Sequence, residues 1–455
     1  IYDPVASLIG PPAYPPGLPL TLAPLVAIGG VHSVLVRLLM PASVLLFVAL
    51  ATWRLARDVE PWQAAIGGAF TAYAIEASLG TIVPLSDPGF AALIWATILV
   101  VNAEASWTWR RVAAVTALGF AAMSYRTAGV ALVPALFLYA SIHRRQLGKL
   151  PFAPALAWTT AGTVALLAGL VRIPFTERVA RSINNLGDHV DTFARQYRIA
   201  FADAQLYPFS TALANDAYHV LASLIALVGI ALVFARARRS FLVAFAAAYV
   251  LMLFLAPVAE PRYAWPLYPL VAAGLASGLS VVVRRVAARF TPRSQALVVT
   301  APVLALLLIA LGRDSRKPAP ASLVRHPDAV QLFHWLARLD SASTDTLRVA
   351  YVNPRVLTLE TRITAMGIVP RTPPGILTAL TRHRATHLVG QSQGLGLGAN
   401  PGRVSCVQRS ANRLPELYPA SFTLAYENRT FRVYSFRPTP GAPNDPGEPI
   451  RWSEC

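Results

Sequence analysis

The chain has 455 residues, of which 55% are hydrophobic and only 14% are charged, and its formal net charge is +18. A soluble globular protein carries about 25% charged residues, so this deficit predicts a protein that crosses a membrane many times. The positive charge would also suit nucleic acid. The charges, however, fall in short clusters between apolar runs, so we expect membrane lipid and no nucleic acid as a partner.

Residues 1–33 predict an ordered outer loop. The segment is rich in Pro and Gly, as in Tyr14-Pro15-Pro16-Gly17, and such a run cannot form a spanning helix. It leads into a short apolar helix over 18–28. The chain starts without Met and inside this loop, so we expect either a cleaved signal or a first span upstream of Ile1.

Ten apolar segments between residues 34 and 312 predict an α-helical polytopic membrane domain. A span needs about 20 residues, with a range of roughly 17–25. Clusters of Arg and Lys lie between alternate pairs of these segments, and the positive-inside rule puts all the clusters in the cytoplasm. The segments lie near 34–56, 62–82, 88–103, 111–125, 127–143, 152–174, 216–235, 241–258, 264–283 and 295–312.

The same parity puts the other loops, and everything after Gly312, on the outer side of the membrane. We therefore expect a protein integral to the bacterial inner membrane, with its C-terminal domain outside the cytoplasm. The outer loops are 1–33, 83–88, the turn 124–127, 175–215 and 260–263.

The long outer loop 175–215 has apolar residues at helical spacing, at Val179, Ile183 and Leu186. This spacing predicts amphipathic helices on the outer surface, which either belong to a binding site or are solvated helices without a binding role. His189 is the only histidine of the loop. A lone histidine is usually structural, but in this position it is also a candidate to contact an acceptor.

Residues 313–455 lack long apolar runs and predict a small exported α/β domain with a Pro-rich tail. The apolar spacing predicts two helices, and the alternating runs predict strands and a closing hairpin. The helices are expected over 328–339 and 375–384, the strands over 347–352 and 386–389, and the hairpin over 422–436.

Two features of this domain concern cofactors and redox state. The glycine run 394–398 lacks the strand-turn-helix context of a dinucleotide loop, so it predicts a flexible loop and no nucleotide cofactor. Cys406 and Cys455 are the only cysteines. They are either bridged, as export would permit, or two unpaired thiols.

Asp87 is the first candidate for chemistry because it lies in Ser86-Asp87-Pro88 at the tip between two predicted spans. A carboxylate at the outer interface suits a divalent cation or an acceptor hydroxyl. An alternative is helix capping, since Ser or Asp before Pro commonly starts a helix.

Arg126 and Arg262 also lie between apolar runs on the predicted outer side. An arginine in such a place either snorkels to the interface or pairs with an anion. Its planar fork donates two parallel hydrogen bonds and therefore suits a phosphate group. Arg262 has Tyr263 beside it, and a salt bridge with Glu260 is its alternative role.

The sequence lacks the motifs that several reaction classes require. No His, Cys and Asp set has metal-ligand spacing, and no Gly-x-Ser-x-Gly elbow or Walker loop occurs. The pattern therefore argues against a serine hydrolase and against an ATP-driven pump.

Taken together, four stretches resemble the GT-C superfamily of polytopic glycosyltransferases, in particular its protein O-mannosyltransferase and aminoarabinose-transferase branches. The similar family patterns are Tyr-Pro-Pro-x-x-Pro-Leu, Ser-Glu/Asp-Pro, Arg-x-x-Gly followed by Pro-Ala-Leu and Arg-Arg, and Arg-Tyr-x-x-Pro-x-x-Pro. The corresponding stretches begin at Tyr14, Leu85, Tyr125 and Glu260.

The resemblance implies an inverting transfer of sugar from a polyprenyl-phosphate donor to an extracytoplasmic glycan, lipid or protein. Arg262, Arg126 and Tyr263 would bind the donor phosphate, while Tyr14, Glu260 and His189 would lie near the acceptor or its loop. The family's catalytic carboxylate precedes the Tyr-Pro-Pro motif, so it is expected upstream of Ile1. Asp87 would act in catalysis or hold a divalent cation, the one cofactor expected.

Two other functions fit the same composition. A non-catalytic scaffold or accessory subunit of a larger membrane assembly would keep the fold and lack the upstream carboxylate. A flippase or transporter for lipid-linked glycans would carry charged residues deep in its spans, where Glu76 is the one strong candidate.

Overall fold

A computed structural model describes residues 15–30, 34–79, 86–103, 106–167, 212–255, 261–286, 326–343, 346–368, 372–392 and 406–439, with isolated residues over 187–198 and 291–309. Contacts divide the chain into two units, one over Pro15–Lys317 and the other including Pro318–Cys455. The predicted class, a mostly helical chain with a small C-terminal sheet, is confirmed.

The described part of the first unit is a bundle of helices. Two 3₁₀ segments, Thr127–Ala131 and Pro261–Leu267, interrupt it beside the predicted outer turns. The helices are α1 (Gly17–Gly29), α2 (Val34–Leu55), α3 (Pro61–Leu79), α4 (Ser86–Val101), α5 (Trp109–Tyr125), α6 (Leu132–Ile142), α7 (Arg144–Leu147), α8 (Phe152–Leu167), α9 (Ala212–Arg236), α10 (Phe241–Leu255) and α11 (Tyr268–Val286).

In the described part of the chain, three helices are long and apolar enough to cross a membrane: Val34–Leu55, Asp216–Arg236 and Arg262–Arg285. Other apolar helices are shorter, among them Ser86–Val101 and Phe241–Leu255. A helix rises 1.5 Å per residue, so a helix of this length falls short of a hydrocarbon core of about 30 Å. The expected count of ten spans is therefore not confirmed.

The predicted span 127–143 differs most from the structure. Its first turn is the 3₁₀ segment Thr127–Ala131, and the α-helical part has only 11 residues. Gly129 explains the tight turn, because a Cβ there would lie 2.8 Å from the backbone nitrogen of Met123. The chain therefore folds back on α5 before it starts α6.

Large aromatic side chains fill the middle of the bundle. Trp95, Trp265, Tyr249 and Phe245 are almost completely buried. On the outside, α9 exposes Leu221, Leu224 and Val228 along one face. An apolar surface of this kind suits lipid rather than water.

Glycines let α11 contact its neighbours through the backbone. A Cβ at Gly274 would lie 3.0 Å from the carbonyl oxygen of Ala226 in α9, and one at Gly278 would lie 2.8 Å from Cγ2 of Ile225. On another side, a Cβ at Gly67 of α3 would lie 3.1 Å from the nitrogen of Ala273. Small residues at helix interfaces are the usual device for close packing in membranes.

The C-terminal unit contains a five-stranded mixed sheet of order β2-β1-β3-β5-β4. β1 pairs with β2 and β3 in parallel, while β5 pairs with β3 and β4 antiparallel. The strands are β1 (Arg348–Tyr351), β2 (Thr364–Gly367), β3 (His387–Gln391), β4 (Phe422–Glu427) and β5 (Phe431–Phe436), and the helices are α12 (Pro327–Ala342), α13 (Pro354–Thr361), α14 (Pro373–Arg382), α15 (Cys406–Asn412) and α16 (Leu414–Leu417).

Helices cover both faces of this sheet. Val349 and Tyr351 point to the face covered by α12 and α13, whereas Ala350 points to the face covered by α14 and α15. The sequence predicted α12, α14, β1, β3 and the hairpin, but it missed β2, α13, α15 and α16. These four elements are short, with four, eight, seven and four residues, and lack a long period from which to predict them.

Three predictions about this part of the chain are outside the described residues. The run 394–398 and Cys455 lie in undescribed segments, and Cys406 is described only by its helical backbone. The expected flexible loop, the disulfide alternative and the tail after residue 439 therefore stay predictions.

Candidate functional site

Hydrogen bonds join the helices at one end of the bundle where the arginine clusters begin. Arg54, at the end of α2, forms an ion pair with Asp58 at 2.7 Å and donates to Ser240 Oγ at 2.6 Å. Asn102 Oδ1, just after α4, accepts from the Phe241 backbone N–H at 2.7 Å and from Ser240 Oγ at 3.1 Å. The ends of α2 and α4 and the start of α10 therefore meet here. We call this the arginine-rich end.

Arg111, near the start of α5, belongs to the same end. Its guanidinium donates to the carbonyl oxygens of Val100, Val101 and Ala103 at 3.0, 2.6 and 2.9 Å. These carbonyls close α4, where a cation is favoured by the helix dipole. The start of α4 is about 22 Å away, because 15 residues at 1.5 Å separate Asp87 from Asn102.

Asp87 and Arg126 meet at that opposite end. Asp87 lies in the first turn of α4 with only 3% of its surface exposed, and Arg126 follows the last residue of α5. An Arg126 Nη2 group donates to Asp87 Oδ1 in an ion pair. Asp87 Oδ2 and Arg126 Nε are buried and find no hydrogen-bond partner in the described part of the chain.

This pair bears on the alternatives that the sequence left open. Arg126 forms an ion pair with a carboxylate of the protein itself, whereas its binding of a phosphate stays a prediction. The Asp87 side chain turns toward another helix, although its place in the first turn of α4 is also favourable for a negative charge.

Arg262 and Tyr263 lie against the same pair. The Cζ atom of Arg126 is 4.6 Å from the centre of the Tyr263 ring, and that of Arg262 is 5.7 Å from it. A guanidinium at such a distance is attracted to the ring quadrupole. The site therefore holds two guanidinium groups on one phenol ring, beside one buried carboxylate.

The 3₁₀ segment Pro261–Leu267 is fixed by its backbone. Tyr249 of α10 donates its hydroxyl to the Tyr263 carbonyl at 2.7 Å, and Trp95 of α4 donates its indole N–H to the Pro266 carbonyl at 3.0 Å. Both donors are about 1% exposed, so water does not compete for these bonds. They hold Arg262 and Tyr263 at the start of α11.

A further part of the site was not predicted from the sequence. Tyr125, the last residue of α5, reaches α1, where its hydroxyl lies 2.5 Å from Thr21 Oγ1. The motif that starts at Tyr14 therefore contributes α1 to the same end of the bundle. A signal was present, because Tyr125 directly precedes Arg126 in a stretch that was singled out.

The structure brings together four of the predicted site residues, Asp87, Arg126, Arg262 and Tyr263. Tyr14, His189 and Glu260 lie outside the described residues, and so does the side chain of Glu76. Within 175–215, Phe193 is described and packs edge-on against Phe254 of α10, with 5.2 Å between ring centres.

The residues that are present fit an anion better than a cation. Within the described ranges, no group of three His, Cys, Asp or Glu residues is arranged to hold a metal ion. Asp87 offers one free oxygen, Oδ2, but Arg126 already neutralises this carboxylate. Two guanidinium groups, in contrast, present several N–H donors in planes that match the oxygens of a phosphate.

Solved structures similar to this chain include the archaeal oligosaccharyltransferase AglB from Archaeoglobus fulgidus, in complex with an inhibitory peptide and a dolichol-phosphate. The match has 12% sequence identity and a TM-score of 0.48. It covers 85% of this chain and 64% of that chain, so this chain spans less than two thirds of the oligosaccharyltransferase. The apo form of an oligosaccharyltransferase from the same organism matches at 12% identity with a TM-score of 0.49 over 85% of this chain and 64% of that chain.

A second protein among the matches is ArnT from Cupriavidus metallidurans, bound to undecaprenyl phosphate. Here the identity is 15%, the TM-score is 0.44, and the match covers 93% of this chain and 87% of that chain. AglB and ArnT are GT-C superfamily membrane glycosyltransferases, the superfamily that the sequence motifs resemble. At such low identity the likeness concerns the fold alone.

No protein-family model matches the chain, and no curated protein matches it either.

Proposed function

We propose that this protein transfers a sugar from a polyprenyl-phosphate-linked donor to an extracytoplasmic acceptor, which is a glycan, a lipid or a protein. The observation that carries the proposal is the meeting of Arg126 and Arg262 on the ring of Tyr263 beside the buried Asp87. Three stretches far apart in sequence supply these residues, and they are the stretches whose motifs resemble the GT-C glycosyltransferases.

The guanidinium groups suit the chemistry of such a donor. When the bond between the sugar's anomeric carbon and the phosphate oxygen breaks, its electron pair stays on the phosphate. Arg126 and Arg262 would stabilise this growing negative charge by charge-assisted hydrogen bonds. The site lies among apolar helices, so a lipid-linked phosphate would reach it from the bilayer with its chain still in lipid.

The acceptor must lose a proton while its oxygen attacks the anomeric carbon with inversion. As the resemblance implies, a carboxylate would take this proton as a general base. Asp87 holds Arg126 through Oδ1, and its buried Oδ2, which has no partner in the described part of the chain, would orient an acceptor hydroxyl. Tyr14, Glu260 and His189 are proposed to line the acceptor side.

The proposal includes a location. The site end would face the outside of the bacterial inner membrane and the arginine-rich end the cytoplasm, in keeping with the positive-inside rule. The C-terminal α/β unit would then be exported and would contribute to acceptor recognition.

A non-catalytic scaffold is the second candidate function. It is favoured by the one carboxylate of the described site, Asp87, which is already bound to Arg126. Such a subunit of a larger membrane assembly would still bind a polyprenyl phosphate without transferring sugar.

The test is transfer of labelled sugar from polyprenyl-phosphate donors by membranes that contain the protein as its full gene encodes it. Arg262→Ala is expected to lower transfer about 100-fold or more, as does the loss of one group that stabilises a transition-state oxyanion. Asp87→Ala is also expected to lower it. The matched control is Arg57→Ala, an exposed arginine of the arginine-rich end.

Equal transfer by wild type, Arg262→Ala and Asp87→Ala would refute the site. Absence of transfer by the wild type with every donor offered, together with retained binding of polyprenyl phosphate, would favour the scaffold.

A further inference from the structure

A pair of hydroxyl groups links α1 to the end of α5. Thr21 Oγ1 donates to the Gly17 carbonyl at 2.9 Å within α1 and lies 2.5 Å from the Tyr125 hydroxyl. Because the only proton of Thr21 is used on Gly17, the Tyr125 hydroxyl is the donor in the second bond. The Tyr125 hydroxyl therefore has a defined acceptor, Thr21 Oγ1.

Two glycines enclose the ring of Tyr125. A Cβ at Gly17 would lie 2.6 Å from Cδ2 of this ring, and a Cβ at Gly89 would lie 2.6 Å from its Cε1. Real Cβ atoms do not approach so closely, so both positions must lack one. Gly17 belongs to the Tyr-Pro-Pro stretch and Gly89 follows Ser86-Asp87-Pro88, so the ring packs between two of the stretches that form the site.

The position of this ring bears on Arg126. The helix α5 ends at Tyr125, and Arg126 has extended backbone with φ −151° and ψ 135° while its N–H still bonds to the Ala122 carbonyl at 2.9 Å. The chain thus changes direction at one residue. A rotation of Tyr125 about the α5 axis would carry Arg126 away from Asp87 and from the ring of Tyr263.

We infer that Tyr125 is a positioning residue, which fixes the Arg126 guanidinium in the anion site through its hydrogen bond to Thr21 on α1. The inference rests on the proposed function in one respect, namely that Arg126 binds the phosphate of a polyprenyl-phosphate donor. Tyr125 itself does not touch the donor. It couples α1 to the residue that does.

The test uses Tyr125→Phe and Thr21→Val, which remove one hydroxyl each and keep the shape of the side chain. Thr21→Ser retains the acceptor oxygen and is the rescue variant. The matched control is Thr163→Val in α8, because the exposed Thr163 makes the same bond to the carbonyl four residues earlier, at 2.8 Å. All variants are made in the full-length protein.

The first readout is binding and turnover of undecaprenyl phosphate and its sugar-linked form. Loss of one hydrogen bond is expected to weaken binding of undecaprenyl phosphate about five-fold and to raise KM similarly, with a smaller change in kcat. The double variant Tyr125→Phe/Thr21→Val is expected to lose no more than either single variant, since the two share one bond. Thr21→Ser and Thr163→Val are expected to bind as the wild type does.

The second readout does not need a donor. Amide hydrogen exchange over residues 122–131 is expected to become faster in Tyr125→Phe and Thr21→Val than in Thr163→Val. If the wild type binds undecaprenyl phosphate and Tyr125→Phe binds it with the same affinity, the inference is overturned. If the wild type binds no polyprenyl phosphate, the proposed function is wrong. The exchange data then decide alone whether the hydroxyl pair positions Arg126. Unchanged exchange in Tyr125→Phe and Thr21→Val would overturn the inference.

Discussion

At the scale of single residues, the Asp87–Arg126 pair is the feature on which the site depends. Asp87 is 3% exposed, and a buried charge without a partner is costly. The same pair is also the candidate chemical group, so activity alone cannot separate its structural role from its catalytic one. Stability can separate them.

Replacing one partner of this pair is expected to lower the free energy of unfolding more than replacing both. Asp87→Asn leaves the Arg126 guanidinium uncompensated and should lower the free energy of unfolding by about 3–5 kcal/mol. Asp87→Asn/Arg126→Gln should recover much of this loss while transfer stays low. Denaturant unfolding in detergent measures the first effect. A double variant no more stable than the single one would contradict the structural role.

A second prediction at this scale concerns His387 in β3. Burial lowers the pKa of its imidazole below the ordinary value of 6.5. Above pH 6.5 the ring is neutral in both the folded and the unfolded chain. As the pH falls below 6.5 the unfolded chain takes up the proton first, so the C-terminal unit loses stability with acidification.

His387→Gln should reduce this loss between about pH 6.5 and 5, where carboxylates stay mostly ionised. Amide exchange of β3 against pH is the measurement. The wild type and the variant would show the same pH dependence if another group were responsible.

At the scale of elements, the bundle is held by polar bonds at the arginine-rich end and by glycine contacts along α11. The sequence predicted the approximate bounds of most helices, because apolar runs and arginine clusters mark them. It did not predict which helices touch. Gly67, Gly274 and Gly278 mark close contacts, but a glycine in an apolar run does not name its partner.

The contact between α9 and α11 gives a third prediction. Gly278→Leu introduces a side chain where a Cβ alone would lie 2.8 Å from Cγ2 of Ile225. Overpacking is expected to lower the free energy of unfolding by about 1–3 kcal/mol. Gly162→Leu is the matched control, because a Cβ at Gly162 in α8 would meet no atom within 4 Å. Equal thermal stability of the two variants in detergent would contradict this packing.

The arginine-rich end gives a fourth prediction. Asn102→Ala removes the acceptor of the Phe241 backbone N–H and should destabilise the bundle by about 1–3 kcal/mol, the cost of a buried polar group without a partner. Unfolding in detergent again measures the change. Transfer at the opposite end should be lost only as far as folding is lost, and a selective loss of kcat in folded protein would contradict this expectation.

At the scale of the whole molecule, topology is the expectation that the sequence states most clearly. The contacts put Arg54 and Arg111 at one end of the bundle and Asp87, Arg126 and Arg262 at the other. That these two ends face opposite sides of a membrane stays a prediction. The meeting of Asp87 with Arg126 could not be predicted, since spacing along the chain gives the side of the membrane but no neighbours. Tyr125 was missed for the same reason.

The predicted orientation is open to a direct measurement. A protease added to spheroplasts should remove an epitope tag placed after Cys455, because the C-terminal unit is expected outside the cytoplasm. A tag inserted between Arg145 and Lys149 should stay protected until the membrane is opened. The reverse pattern would invert the topology and, with it, the proposed access of an extracytoplasmic acceptor.

The Asp87–Arg126 ion pair has a consequence for the order in which the chain is made. Its two residues are 39 positions apart, whereas the bond from Trp95 to Pro266 spans 171 positions. The ribosome therefore delivers both members of the ion pair long before Arg262, Tyr263 and α11. We expect Asp87 to neutralise the guanidinium of Arg126 during synthesis, before Arg262 is made. The ring of Tyr263, which contacts both arginines, follows Arg262 in the chain, so the site is completed only when this last stretch is made.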